Sequence, residues 1–228
     1  MVTVQNIFRF LGYFFQVSSK AVLLHKIQST SSVSGLSLNT QILYLLVYIF
    51  RYLDIIVGHS DWKSKLYIYN TIMKVGYIAS QCVIVYYIFK KYRHTYQSRF
   101  ETFNMSFILV PSMALSLFLV FGTTTILEWI EEYLYSASLI IESVAILPQL
   151  VMVQDAGDSE TLTSHYIFLL GLYRLAYFIS FILKCFLVKP RPNALIVATS
   201  LIQSLLYLDF FTVYYRYVMS KSSFTRML

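Results

Sequence analysis

The sequence predicts an all-α membrane protein with seven transmembrane helices. Of its 228 residues, 57% are hydrophobic and only 13% are charged, and the mean hydropathy is +0.63. Apolar stretches recur along the whole chain, and about 20 residues suffice to cross a bilayer as a helix. Ordinary soluble domains carry more charge and less apolar sequence than this. We therefore expect a single transmembrane domain over residues 1–228.

Seven apolar segments have the length of a membrane crossing. They cover residues 5–26, 36–54, 66–89, 104–121, 126–153, 162–187 and 194–219. Short stretches rich in glycine, proline or charge separate them, such as Lys189-Pro190-Arg191-Pro192 before the last segment. The first segment lacks a basic amino-terminal region and a small-residue cleavage site, so we expect it to stay in the mature protein.

The orientation follows from the basic residues of the connections. The densest basic cluster comprises Lys90, Lys91, Arg93 and Arg99. The positive-inside rule assigns this cluster to the cytosol. An odd number of crossings then places the amino terminus in the lumen and the tail, residues 220–228, in the cytosol. The basic loop around Lys189 competes for the same rule.

Charged side chains inside apolar segments indicate a polar interior. They are Arg9, Arg51, Arg174, Asp54, Glu142 and Asp209. A charge at membrane depth costs roughly 3 kcal/mol or more, so such groups persist only when they face a polar cavity or one another. We expect a basic, water-filled pocket with an acidic or carboxylate-bearing ligand. Arg51 and Asp54 have the i, i+3 spacing of a local ion pair, and Asp209 is a candidate counter-ion for any of the arginines.

The fifth segment combines acids with a proline. Glu128, Glu131 and Glu132 favour the positive end of a helix dipole, and we interpret them as a solvated helix start. Pro148 is expected to kink the helix. Glu142 lies in the middle of the segment, where an ionised carboxylate requires a partner such as a tyrosine hydroxyl or an arginine.

The sixth segment carries an aromatic stripe. Tyr173, Tyr177, Phe181 and Lys184 follow one another at spacings of four, four and three, which aligns them on one helix face, with Arg174 beside them. Such stripes more often serve packing than ligand binding. The hydroxyls of Tyr173 and Tyr177 and the cation of Lys184 at the end of the stripe favour a ligand site here.

Five sequence strings then identify a family by their order. They are Asn6-Ile7-Phe8-Arg9, Arg51-Tyr52-Leu53-Asp54, Glu142 to Leu150, His165-Tyr166 with Gly171 to Arg174, and Leu206 to Phe211. The chain thereby resembles the KDEL receptors, the ER lumen protein retaining receptors, over nearly its whole length.

This resemblance implies both a fold and an activity. The fold is similar to that of the SWEET and PQ-loop transporters, with two three-helix repeats joined by the fourth helix. The implied receptor binds the carboxyl-terminal Lys-Asp-Glu-Leu type tetrapeptide of escaped ER proteins in the acidic Golgi and returns them in coated vesicles. The expected partners are this peptide, the lipid bilayer and the COPI coat on the cytosolic side, in ER and Golgi membranes.

The resemblance also implies roles for the residues that contact the peptide. Arg9, Arg51 and Lys184 occupy the cationic positions, with Arg51 facing the terminal carboxylate. Asp54 and Glu132 align with acids near the basic first residue of the signal. Three anionic groups on the ligand thus meet three cations, and guanidinium pairs with carboxylates in a two-pronged geometry.

A second set of polar residues resembles the family's cavity and switch. It comprises Glu142, Tyr173, Arg174, Tyr177, Asn193 and Asp209. The first two resemble a pair whose hydrogen bond changes between the unliganded and liganded states. We therefore expect any pH switch to depend on this Glu142–Tyr173 pair.

Several positions depart from the family pattern. Gln16 aligns with the histidine by which the family is thought to sense acidity, and glutamine does not titrate. Lys184 replaces an arginine and loses its two-pronged geometry. Further departures are Tyr135, Ser180, Phe181 and Asn193, and the tail lacks the paired lysines common in the family.

Two other readings stay open on the sequence: a small-solute transporter on the related fold, and a diverged paralogue that binds another cargo or none. The sequence shows no metal-ligand spacing and no glycine-rich phosphate loop, so we expect neither an enzyme nor a cofactor. The net charge of +7 fits a cytoplasmic anchoring loop better than nucleic acid binding.

Overall fold

The computed structural model of the protein describes residues 2–57, 65–120, 125–156, 161–187 and 193–225, and all regular structure in these ranges is helical. The α-helices are α1 (Val2–Thr30), α2 (Leu38–Arg51), α3 (Asp54–Val57), α4 (Lys65–Tyr86), α5 (Ser106–Leu117), α6 (Ile126–Val144), α7 (Leu147–Ala156), α8 (Thr161–Leu187) and α9 (Ala194–Thr225). A π-helical turn, Tyr87–Lys91, continues α4, and two 3₁₀ turns follow at Arg93–Thr95 and Ser98–Phe100.

The helices agree with the predicted membrane segments. Within the described ranges, four helical stretches have the length and hydropathy to cross a bilayer, namely Val4–Thr30, Tyr67–Lys91, Ile126–Asp155 and His165–Phe186. Two shorter apolar helices are Ser106–Leu117 and Ala194–Leu208. Each of the seven predicted segments coincides with at least one helix, so the all-helical prediction is confirmed for the described ranges.

The chain divides into two compact units. The first comprises Met1–Lys26 with Ser159–Leu228 and holds most of α1 together with α8 and α9. The second comprises Ile27–Asp158 and holds α2 to α7.

In the second unit, α2 is the central helix and packs against α4, α6 and α7. Ser37 caps its amino end: the side-chain oxygen of Ser37 accepts a hydrogen bond from Thr40 N at 3.0 Å and so satisfies a free amide of the first turn. Leu43, Tyr44 and Val47 are almost completely buried. In a lipid environment such contacts stabilise through close packing and dispersion, because lipid tails are as apolar as the side chains.

The fifth predicted segment consists of two helices rather than one kinked helix. α6 ends at Val144 and α7 begins at Leu147. Pro148 has no amide hydrogen to donate to the Val144 carbonyl, and its ring would collide with that carbonyl in a continuous helix. In the first turn of a new helix the missing donor is not needed. The next amide, Gln149 N, donates to Thr40 Oγ1 of α2 at 3.0 Å instead.

The side chain of Gln149, which follows the break between α6 and α7, is buried against the loop between α1 and α2. Its Oε1 accepts from Ser37 N at 2.9 Å, and its Nε2 donates to Gly35 O at 2.8 Å. Gly35 has a φ of 75°, which a residue without a Cβ adopts at no steric cost. Gln149 therefore satisfies backbone groups that helical hydrogen bonding leaves free.

Glu101 lies at the amino end of α2, in the same part of the second unit. Its carboxylate accepts hydrogen bonds from Ser37 Oγ at 2.6 Å, Leu38 N at 2.8 Å and Tyr96 OH at 2.6 Å. Burial, together with the hydrogen bond and charge of Glu101, raises the pKa of Tyr96, so this hydroxyl stays protonated and donates. The carboxylate thus also neutralises the positive amino end of α2.

In the first unit, small residues allow α8 to approach its neighbours. A Cβ on Gly171 would lie 2.1 Å from Phe211 Cζ of α9, and a Cβ on Gly12 of α1 would lie 3.2 Å from the Tyr177 ring. Glycine at helix contacts is typical of membrane bundles, because it brings backbones close together.

Candidate functional site

A cavity of about 580 Å³ opens in the second unit at the carboxyl end of α2 and the amino end of α6. It is lined by Phe50, Arg51, Tyr52, Leu53, Asp54, Lys74, Glu128, Glu131, Glu132 and Tyr135. Local structure creates the opening: α2 ends at Arg51, and the Thr125 side chain caps α6 by accepting from Glu128 N at 3.2 Å. The cavity therefore has ionic walls at the end of an apolar bundle.

The deepest ionic contact beside this cavity joins Arg51 to Glu142. Arg51 Nη1 lies 2.5 Å from Glu142 Oε2, and the two side chains are 19% and 5% exposed. Arg51 Nε also donates to Ser138 Oγ at 3.3 Å. The partly buried guanidinium and the buried carboxylate compensate each other's charge, as a low-dielectric surrounding requires. The sequence predicted a tyrosine hydroxyl or an arginine as the partner of Glu142, and the structure shows an arginine.

The ion pair suggested by the spacing of Arg51 and Asp54 is wrong. Helix α2 ends at Arg51, and Tyr52 and Leu53 leave the helical path before α3 begins at Asp54. The i, i+3 geometry that would align the two side chains therefore does not exist. Asp54 pairs instead with Lys74 of α4 through Oδ2.

Lys74 is a site residue that the sequence reasoning missed. Its ammonium lies 5.6 Å from the centre of the Tyr52 ring, a cation–π distance, and Tyr52 stacks on Tyr48 at 6.1 Å. The sequence feature that could have identified it is its position as the single lysine of the apolar segment 66–89. Charge at that position required a counter-ion as much as the arginines did.

The three acids at the start of α6 line the cavity. Glu128 and Glu132 are exposed and Glu131 is partly buried. Together with Asp54 they face the cations Arg51 and Lys74, so acids outnumber cations in the cavity wall. The solvated helix start expected from the sequence is thus also one wall of the cavity.

The first unit carries an aromatic cluster centred on Tyr177. Its ring lies 5.9 Å from that of Tyr173, 6.2 Å from that of Phe181 and 5.7 Å from that of Tyr13 on α1. Arg174 Cζ lies 4.3 Å from the centre of the Tyr173 ring. The alignment predicted from the spacing along α8 is therefore present for Tyr173, Tyr177 and Phe181.

Buried polar side chains line one side of α1. Gln5, Gln16 and Lys20 are 7%, 7% and 5% exposed, and their spacings place them near one helix face. Ser180 Oγ of α8 donates to Gln5 O at 3.3 Å. Gln16, which replaces the expected histidine, is thus an interior residue. Lys20 is a buried cation that the sequence reasoning did not single out.

The remaining expected residues have varied surroundings. Arg9 is exposed, with its guanidinium 5.9 Å from the Phe10 ring, and Lys184 is partly buried. Asn193 is exposed, and its Oδ1 accepts from Leu195 N at 3.0 Å as α9 begins. Asp209 lies on α9, with its side chain outside the described part of the structure.

Neither metal nor disulfide chemistry is supported in the described ranges. They contain no group of three His, Cys, Asp or Glu residues able to hold a metal ion. Cys82 and Cys185 are free thiols.

Comparison with known proteins shows the family to which this chain belongs. Residues 32–184 match the family described as "ER lumen protein retaining receptor". The chain is 37% identical over 209 residues to the ER lumen protein-retaining receptor of Drosophila melanogaster, covering 92% of this chain and 93% of the relative. It is 40% identical to the human ER lumen protein-retaining receptor 2, with 92% and 93% covered, and 38% identical to the mouse receptor 3, with 92% of each covered. The protein therefore belongs to the ER lumen protein-retaining receptor family.

Proposed function

We propose that this protein is a retrieval receptor that binds the carboxyl-terminal retention tetrapeptide of escaped ER lumenal proteins in the Golgi and returns them to the ER. The observation that carries the proposal is Arg51, a partly buried guanidinium in the wall of a cavity beside an internal carboxylate. Guanidinium pairs with carboxylates through two parallel hydrogen bonds, which suits a peptide terminus.

The proposed contacts follow the charges of the ligand. Arg51 binds the terminal carboxylate, while Arg9 and Lys184 bind the acidic side chains. Asp54 and Glu132, both in the wall of the cavity, accept the basic first residue of the signal. Acids outnumber cations in that wall, which supports a cationic group at this end of the peptide.

The Arg51–Glu142 pair supplies an internal competitor for the ligand. While Glu142 is ionised, it occupies the guanidinium that the peptide carboxylate needs. Helix α6 packs most extensively against α2 and α5, and Arg51 is the charged residue of those two helices. Protonation of Glu142 in an acidic compartment removes its charge and releases Arg51. In this mechanism binding is acid-dependent although residue 16 is a glutamine and not a histidine.

We further propose seven membrane crossings arranged as two three-helix repeats joined by the fourth helix, in ER and Golgi membranes. The coincidence of all seven predicted segments with helices supports the number of crossings. The predicted orientation places residues 90–99 and the tail in the cytosol, where the COPI coat would be recruited. Tyr173, Arg174, Tyr177, Asn193 and Asp209 are proposed to contribute to the ligand cavity or to its switching.

Peptide binding by the purified full-length protein tests the proposal. We expect a Lys-Asp-Glu-Leu peptide with a free carboxyl terminus to bind at acid pH, and the same peptide with an amidated terminus to lose at least about tenfold in affinity. A lost hydrogen-bonded charge pair of about 1.5–3 kcal/mol corresponds to such a factor. Equal binding of the two peptides would contradict the assignment of Arg51.

A further inference from the structure

A cluster of basic and aromatic residues follows the carboxyl end of α4. The π-helical turn Tyr87–Lys91 and the 3₁₀ turn Arg93–Thr95 place Lys90, Lys91, Arg93 and His94 in near succession, all of them exposed. The sequence contains no aspartate or glutamate from Lys65 to Phe100. We call residues 86–94 the basic aromatic turn. Such π-helical turns inside or at the end of α-helices frequently occur at functional sites.

The cations of the basic aromatic turn are held against aromatic rings. Lys91 Nζ lies 4.8 Å from the centre of the Tyr87 ring and 5.0 Å from that of Tyr92, and Arg93 Cζ lies 5.6 Å from that of Phe89. A hydrogen bond with Lys91 lowers the pKa of Tyr92. Cation–π contacts orient a charge without neutralising it. The cations therefore keep donors for an external anion.

Glu101, the acidic residue nearest to the turn in the sequence, forms its hydrogen bonds with other residues. The Glu101 carboxylate accepts hydrogen bonds from Ser37, Leu38 and Tyr96. The ion pairs Arg51–Glu142 and Lys74–Asp54 do not involve the basic aromatic turn. Four basic side chains thus share one short stretch without an acidic partner in the described part of the chain.

The position of the turn determines which anion can reach it. It ends the apolar stretch Tyr67–Lys91, which is long enough to cross a bilayer, so its side chains lie at the depth of the lipid headgroups. Tyr86 and Phe89 are each 54% exposed, and aromatic side chains favour this interfacial depth. An acidic protein would have to displace lipid to contact these rings and cations together.

We propose that the basic aromatic turn binds an anionic phospholipid headgroup. Lys91 and Arg93 donate to the headgroup phosphate, while Tyr86 and Phe89 pack among the outer parts of the acyl chains. In the predicted orientation the turn borders the cytosolic leaflet, in which anionic lipids create a negative surface potential. This inference does not depend on the retention peptide.

Native mass spectrometry of the full-length protein in detergent tests the inference. The protein is titrated with phosphatidylserine, with a monophosphorylated phosphatidylinositol, and with phosphatidylcholine as the neutral reference. We expect both anionic lipids to be retained in preference to the neutral one, and the more highly charged phosphoinositide most strongly. The double variant Lys91→Gln/Arg93→Gln is expected to lose about thirtyfold in affinity for the anionic lipids.

Two controls make the outcome decisive. The variant Lys221→Gln/Arg226→Gln removes the same charge from the predicted cytosolic tail and should bind anionic lipid as the wild type does. The variant Lys91→Arg/Arg93→Lys keeps both charges and should retain binding, which distinguishes a charge effect from a folding defect. Equal affinity of Lys91→Gln/Arg93→Gln and wild type, or an equal loss in the tail variant, would overturn the proposal and leave an acidic cytosolic protein as the candidate occupant.

Discussion

Replacing Glu142 by glutamine tests whether this carboxylate competes with the ligand for Arg51. The substitution keeps the size of the side chain and a hydrogen-bond acceptor, but it removes the charge that lies 2.5 Å from Arg51 Nη1. If Glu142 is the competitor, the variant should bind the peptide at neutral pH with the affinity that the wild type reaches only in acid.

The magnitude follows from the geometry of the pair. Two unit charges about 4 Å apart interact by about 4 kcal/mol at an effective dielectric constant of 20. A neutral hydrogen bond retained by glutamine contributes about 1 kcal/mol. Arg51 is 19% exposed, so solvent reduces the remainder further. We therefore expect a gain of about 1–2 kcal/mol in peptide binding at neutral pH, or about 5- to 30-fold in affinity.

Isothermal titration calorimetry of the retention peptide from about pH 5 to about pH 8 measures this gain. The variant Asp155→Asn removes an exposed carboxylate near the end of α7, outside the cavity wall, and is the matched control for a general charge effect. It should change neutral-pH affinity much less than Glu142→Gln. Should Glu142→Gln bind more weakly than the wild type at every pH, Glu142 would be an orienting partner of Arg51 and the competition argument would be refuted.

Three further substitutions have expected outcomes. Lys184→Arg restores a two-pronged cation and should raise peptide affinity severalfold, whereas unchanged affinity would place Lys184 outside the contact set. Gly171→Ala places a methyl group 2.1 Å from Phe211 Cζ and should destabilise the protein by about 1–3 kcal/mol in thermal melting, with recovery in the double variant that also carries Phe211→Leu. Gln149→Leu leaves a buried amide of Ser37 and a partly buried carbonyl of Gly35 unsatisfied and should cost about 2–5 kcal/mol, whereas Gln154→Leu, an exposed position on the same helix, should be nearly neutral.

The sequence predicted the helices because hydropathy is a local property. A run of about 20 apolar residues has few alternatives to a helix in lipid, since its backbone hydrogen bonds must be made within the segment. The break near Pro148 was also partly predictable, because proline removes a specific donor and collides with a specific carbonyl. Whether the chain kinks or divides into two helices depends on the groups that receive the freed amide of Gln149, and Thr40 lies far away in the sequence.

The ionic partners were less predictable than the need for them. Because burying an unpaired charge costs free energy, Glu142 was expected to have a partner, and in the structure this partner is Arg51. Spacing alone suggested that Arg51 pairs with Asp54, which is wrong because the helix ends between them. The actual partner of Asp54, Lys74, lies on another helix, and no local pattern connects the two residues. Contacts between helices depend on packing, which the sequence does not display.

Thermodynamic linkage gives the competition model a consequence that does not depend on mutation. If acid strengthens peptide binding because Glu142 takes up a proton when Arg51 turns to the ligand, then peptide binding must itself take up protons, since coupling between two ligands is reciprocal. Calorimetry at neutral pH in buffers of different ionisation enthalpy counts these protons. We expect an uptake approaching about one proton per peptide in the wild type and close to none in Glu142→Gln. The wild type could bind more tightly in acid while Glu142→Gln still takes up the proton. That result would show that a group other than Glu142 titrates, and Arg51 would then bind the peptide without an internal competitor.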